Sequence, residues 1–205
     1  MSRPQTASEV WQTLLAGNQN FIAGTPSHPR QDADLRRSVA VKQKPFAALF
    51  GCSDSRLAAE MIFDVGLGDL FVVRNAGQVI AETILGSLEF AVEVLEVPLI
   101  MVLGHDDCGA VKATVSSAEG TLKVNGAFIH NLVNRILPSV LLGKELGETS
   151  LEQLTTRHVC ATIDELIERS DIISSAIAEG RLAVVGANYR LDEGEVQLIA
   201  QRGAI

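Results

Sequence analysis

The chain has 205 residues, with 17 basic and 25 acidic side chains, a net charge of −8 and 47% hydrophobic residues. That length suits one domain able to bury about 70% of its unfolded surface without disulfide staples, and the composition excludes a disordered chain. The acidic balance argues against nucleic acid or an anionic membrane as partner, and no apolar run reaches the roughly 18 residues of a membrane span.

A first helix is predicted where Val10, Leu14, Leu15, Asn18, Phe21 and Ile22 recur at three-to-four spacing, behind the cap candidates Thr6 and Ser8 and with Trp11 near the same face. Gly24-Thr25-Pro26-Ser27-His28-Pro29 stops it, and a short polar helix is expected over 32–41. The Pro-rich loop leaves two destinations open for the first helix, its own core or a neighbouring subunit. From Phe46 continuous apolar runs begin: Phe46–Cys52, Leu70–Val73, Leu99–Leu103 and Leu182–Ala187. Such runs read as strands buried on both faces. Between them helices are predicted over 58–63, 81–95, 110–118, 125–142 and 151–178, the last interrupted at Ser174-Ser175. Asp192-Glu193-Gly194 is a turn joining the fourth strand to Val196–Ala200. The expected fold class is α/β: one domain, residues 1–205, with a mainly parallel central sheet flanked by helices, an N-terminal helical extension (1–45) and a C-terminal antiparallel edge hairpin.

Three cysteines cannot all pair within one chain, so thiols kept free or bound to metal in a reducing compartment are the simple reading. The N-terminal residues show no basic stretch followed by an apolar one, so no signal peptide is expected. Together these readings predict a cytoplasmic protein.

Two polar clusters follow predicted buried strands: Cys52-Ser53-Asp54-Ser55-Arg56 after the first, and His105-Asp106-Asp107-Cys108-Gly109 after the third. In open α/β sheets ligands bind at the carboxyl ends of strands, so both clusters should face one edge. Two thiols and an imidazole form a Cys₂His set, which suits catalytic zinc and leaves a fourth position open. Taken alone, a buried cysteine at a strand end is more often a small core residue. The matched pair of clusters, with Asp54 and Arg56 alongside, reverses that weighting. A structural zinc site or a thioredoxin-like motif would call for paired CxxC, which is absent.

Cys52–Arg56 and Gly104-His105-Asp106-Asp107-Cys108-Gly109 resemble the motifs of the β-class carbonic anhydrases, and Phe71-Val72-Val73-Arg74-Asn75-Ala76-Gly77 matches a third block between them. The resemblance spans most of the chain. It implies one Zn²⁺ per chain on Cys52, His105 and Cys108, and CO₂ hydration to bicarbonate and a proton by attack of zinc-bound hydroxide. It gives Asp54 two roles, as fourth ligand in a closed state or as partner of Arg56 in an open one. The substrate pocket it implies draws on Gln43, the Gly109 N–H, Phe71 and Phe90; from residue type alone, plain core packing is the favoured reading of each phenylalanine. A homodimer or homotetramer is implied, with the arm carrying Trp11, Leu14, Leu15 and Phe21 on the partner. Phe90 stands where some relatives carry tyrosine. Leu49 stands where the bicarbonate-regulated subgroup carries tryptophan, which puts that subgroup's non-catalytic bicarbonate site in doubt.

Of Asp106 and Asp107, one is a candidate hydrogen-bond partner for His105 and at least one is expected to be solvated. His28, His130 and His158 read as surface or packing residues, Cys160 as a core thiol, and Glu145, Glu148 and Glu152 as a solvated face. Three rival readings stand beside the leading one. The first is a hydrolase of carbonyl sulfide or carbon disulfide on the same fold, which pocket access rather than the zinc motif would distinguish. The second is a non-catalytic zinc regulatory protein, disfavoured because a structural site needs neither Asp54 nor Arg56. The third is a nucleotide-dependent oxidoreductase, for which neither GxGxxG nor GxxxxGK is present.

Overall fold

Helix α1 (Ala7–Ile22) starts at Thr6, whose hydroxyl accepts the Glu9 N–H while the Glu9 carboxylate accepts the Thr6 N–H. This reciprocal cap satisfies two donors that the first helical turn leaves free. The computed structural model describes residues 3–205; Met1 and Ser2, the first residues of the expected arm, lie outside the described residues. Val10, Trp11 and Leu14 are buried in the chain's own core. Asn18, one turn on, donates to the Ile62 and Gly194 carbonyls and accepts the Val196 N–H. The Trp11 and Leu14 face is therefore buried in the chain's own core, one of the two destinations the sequence left open. Helix α2 (Ala33–Val39) is the short polar helix, capped by Asp32.

Five strands follow: β1 (Ala47–Cys52), β2 (Leu70–Asn75), β3 (Leu99–His105), β4 (Ala183–Tyr189) and β5 (Val196–Arg202). Their order is β2-β1-β3-β4-β5. The first four run parallel and β5 pairs antiparallel with β4. Every residue of β1, β3 and β4 is buried, as their apolar runs require, whereas edge strand β2 is mostly half-exposed.

The helices between the strands are α3 (Ala59–Ile62), α4 (Glu82–Glu93), α5 (Gly109–Ala118), α6 (Ala127–Glu145), α7 (Leu151–Arg169) and α8 (Asp171–Ala178). One face of the sheet (Leu49, Met101, Leu103, Val185) joins a core with α1, α5 and α6. The other (Phe50, Ile100, Val102, Val184) joins a core with α4, α7 and α8. Helix α7 lies unusually close to the sheet. A Cβ on Gly104 would sit 2.4 Å from Val159 Cγ2, and one on Gly186 would sit 2.5 Å from Ile163 Cδ1. No helix of the described residues is long and apolar enough to cross a membrane.

The long C-terminal helical region breaks at Ser170, not at Ser174-Ser175. Ser170 is fully buried; its hydroxyl accepts the Ile173 N–H and donates to the Glu89 carboxylate. The cap and its distant partner decide the break, while Ser174 stays helical and its hydroxyl donates to the Asp171 carbonyl.

Candidate metal centre

Parallel pairing of β1 with β3 brings Cys52 and His105, the last residues of their strands, to the same sheet edge. The chain then turns at Asp107, whose φ of 50° is left-handed. Aspartate tolerates this conformation better than most residues. The turn delivers Cys108 as the N-cap of α5, so two ligating side chains from one strand-to-helix loop converge. From β2, Arg74 fixes the other loop, donating to the Cys52 carbonyl at 2.9 Å and the Asp54 carbonyl at 2.7 Å.

The ligating atoms of Cys52, His105 and Cys108 all lie within 4.8 Å of one another, and all three residues are buried. The two sulfurs are 4.0 Å apart; a tetrahedral ion holding two thiolates at about 2.3 Å would set them about 3.8 Å apart. His105 has no solvent exposure, and neither ring nitrogen has a hydrogen-bond partner. A buried polar group is rarely left without a partner, and a bound metal ion would supply one. The donor set, its spacing and the orphaned imidazole therefore fit a Cys₂His metal site. The contact between the two sulfurs holds Cys52 well below the usual thiol range, against the opposing effect of burial; Cys108 is correspondingly held up by Cys52 and by burial. Metal binding would remove the shared proton, since thiolates are the ligating form.

Asp54 and Arg56 sit beside this triad. Arg56 Nε donates to Asp54 Oδ1 at 2.9 Å and Nη2 to Oδ2 at 2.8 Å, with the Arg56 backbone N–H adding a third bond. The Arg56 side-chain hydrogen bonds hold the Asp54 carboxyl well below the usual carboxylate range. Asp54 Oδ2 lies 3.9 Å from His105 Nε2, so the carboxylate borders the cluster while paired with Arg56.

The carbonic anhydrase family model matches residues 47–196, which carry both clusters. The chain belongs to the β-class carbonic anhydrases. It is 52% identical over 190 residues to carbonic anhydrase 2 of Mycobacterium tuberculosis, covering 92% of this chain and 91% of that one. Identity to a carbonic anhydrase of Mycolicibacterium smegmatis is 48%, over 96% of this chain and 95% of the relative. The fold matches the solved β-carbonic anhydrase CcaA with a TM-score of 0.71 at 26% identity, covering 95% of this chain and 99% of that one. A β-carbonic anhydrase of Sordaria macrospora, described as tetrameric, shares the fold with a TM-score of 0.73 at 24% identity, over 93% and 96% of the two chains.

As a carbonic anhydrase, the chain is a carbonate dehydratase, and its expected pocket residues divide into two groups. Gly109 opens α5 directly after Cys108, and a Cβ there would meet open space. Gln43 precedes β1 and is exposed; the strand alone places it beyond about 17 Å of chain from Cys52. Phe71 pairs with Ala48 near the start of β1, and its ring lies 6.2 Å from that of Phe90 on α4. Phe90 is 42% exposed. The carbonic anhydrase chain thus does not bring Gln43, Phe71 or Phe90 to its own metal-ligand cluster.

Several neighbours depart from expectation, whereas exposed Asp107 and the surface or packed histidines His28, His130 and His158 meet it. Asp106 accepts the Leu191 N–H and lies 3.8 Å from Arg190 rather than serving His105. Asp107 lies between Arg56 and Lys112. Cys160 is half-buried rather than core, and Glu148 pairs with Arg157 in a half-buried bridge rather than facing solvent. His28 and His130 are exposed, His158 is buried, and Leu49 is a core residue of β1. Sequence reasoning missed two contacts of this carbonic anhydrase site: the Arg74 clamp and the Gly77 N–H, which lies 3.4 Å from Cys52 Sγ. A lone arginine closing an apolar strand, followed by Asn75-Ala76-Gly77, was the available signal.

Proposed function

We propose that the chain catalyses reversible hydration of CO₂ to bicarbonate and a proton on one Zn²⁺ held by Cys52, His105 and Cys108. The observation that carries this reading is the buried His105 ring without a hydrogen-bond partner beside two sulfurs 4.0 Å apart. Zinc bound there would supply a Lewis acid that brings water into its nucleophilic, deprotonated range near pH 7. Two thiolate ligands offset the charge of the ion, so Asp54 is free for another task.

Asp54 stays ionised through its two-point pairing with Arg56. In that position it can accept a hydrogen bond from the attacking water and direct a lone pair at the substrate carbon. Released from Arg56, the same carboxylate is the candidate fourth ligand of a closed state. A planar guanidinium suits this exchange because it offers the carboxylate a matched alternative partner. The Gly109 N–H, at the start of α5, is the candidate donor to a substrate oxygen. Gln43, Phe71 and Phe90 are assigned to the apolar pocket of a second copy, since their own cluster is out of reach, and this makes the working unit a homodimer or a homotetramer. Three cysteines without disulfide partners accord with a cytoplasmic location.

The test is metal analysis of the purified protein together with rates on CO₂ and on carbonyl sulfide. One zinc per chain with CO₂ hydration is expected. A protein with full zinc that turns over only the sulfur substrate would overturn the reading.

A further inference from the structure

Helix α7 places one side chain against the loop that touches Cys52. His158 is 4% exposed, and its Nε2 lies 2.7 Å from the Gly77 carbonyl oxygen. That oxygen can only accept, so Nε2 carries the ring proton. Ser139 Oγ lies 3.0 Å from Nδ1 on the ring's other side. Burial pushes the His158 pKa down, against the Gly77 contact, and keeps the ring neutral. Nε2–H is thus committed to the Gly77 carbonyl, while Nδ1 faces the Ser139 hydroxyl, whose single proton has the Ile136 carbonyl, 2.7 Å away, as its other acceptor.

Gly77 is held from both ends. Its carbonyl accepts the His158 Nε2–H, and its N–H lies 3.4 Å from Cys52 Sγ. Its φ of 73° is left-handed, and a Cβ would come within 2.8 Å of both Ala110 Cβ and Ile136 Cδ1. No other residue fits this conformation in this space. The surrounding loop is tied down as well: the Asn75 side chain bonds both backbone groups of Val79, and Arg135 donates to the Ile80 carbonyl. The close approach of α7 over Gly104 and Gly186, through Val159 next to His158, brings the imidazole within reach.

We propose that His158 is a positioning residue for the metal centre, holding Gly77 so that its N–H donates to the Cys52 sulfur. Such a bond draws charge from a ligating thiolate and fixes its direction, and partners of this kind govern metal affinity. The proposal rests on the zinc reading above and adds a residue 106 positions away in sequence from its ligand, Cys52.

The test compares His158→Gln with His158→Asn. Glutamine can set an amide N–H where Nε2 stood; asparagine falls short and reaches only the Ser139 side. Zinc affinity is read by chelator competition, and the sulfur-to-metal charge-transfer bands are read on the cobalt-substituted protein. The Gln variant should keep parent affinity and bands, and the Asn variant should lose about tenfold or more in affinity with shifted bands. Equal affinities and equal bands in the two variants overturn the proposal. If either variant fails to fold, the unaltered protein decides by nitrogen-15 NMR: the Gly77 amide and the His158 ring signal should both move when zinc is removed, and a His158 ring signal that stays fixed overturns the proposal. Failure of the unaltered protein to bind zinc at all would instead remove the underlying reading.

Discussion

Cys52, His105 and Cys108 were legible because each lies within a short polar cluster ending an apolar strand, and parallel pairing then places both clusters on one edge. The contacts behind them were not legible. Gly77 reaches Cys52 only once β2 is paired beside β1, and Arg74 acts through backbone carbonyls that carry no sequence signature. Arg56→Ala would leave Asp54 without its two-point partner, with the carboxylate 3.9 Å from His105 Nε2. The expected outcome is a fall in kcat of roughly tenfold or more with zinc retained at one per chain. Arg56→Lys should not restore the rate, because a lysine ammonium cannot match both carboxylate oxygens. Steady-state hydration rates with zinc quantified in the same samples check both variants.

At the level of elements, the buried strands were legible from their apolar runs, since both faces of β1, β3 and β4 are covered. The break between α7 and α8 was not. Ser170 and Ser174 look alike in sequence, and what separates them is a Glu89 partner 81 residues away. Ser170→Ala should therefore cost about 1–2 kcal/mol in urea unfolding, whereas Ser174→Ala should cost less. Asp64, which follows α3, ties that region to the loop after α1. It accepts the Ser27 and His28 N–H groups, the Ser27 hydroxyl and the Asn20 amide. Burial pushes its pKa up, but those hydrogen bonds together outweigh it and the net shift is downward. A folded pKa below the unfolded value of about 3.9 means that the native state binds fewer protons. The stabilisation is thus full above about pH 4 and is lost as pH falls through the folded value. Asp64→Asn should be less stable than the parent by about 1–3 kcal/mol near neutral pH, and the gap should close in acid. Urea melts at the two pH values read this directly.

On the scale of the whole molecule, one chain carries a metal-ligand cluster and Gly109 at one sheet edge, and the other residues assigned to the substrate pocket, Gln43, Phe71 and Phe90, elsewhere. Gln43 was legible as a residue type matching the family, but its distance from Cys52 follows only from the direction of β1. If Gln43 serves a second copy, a mixture of Gln43→Ala and Cys52→Ser proteins, dissociated and reassembled, should regain activity that neither has alone. In the mixed dimer, the chain with intact ligands faces an intact Gln43. No regain after subunit exchange would place Gln43 outside the pocket.

The central claim is that hydration runs on zinc at Cys52, His105 and Cys108. Stopped-flow CO₂ hydration on samples reconstituted to graded zinc content tests it most directly. The rate should rise in proportion to bound zinc up to one per chain, and Cys52→Ser should lose metal and rate together. A rate independent of zinc content, or a fully zinc-loaded protein that does not hydrate CO₂ from mildly acid to mildly alkaline pH, would contradict it.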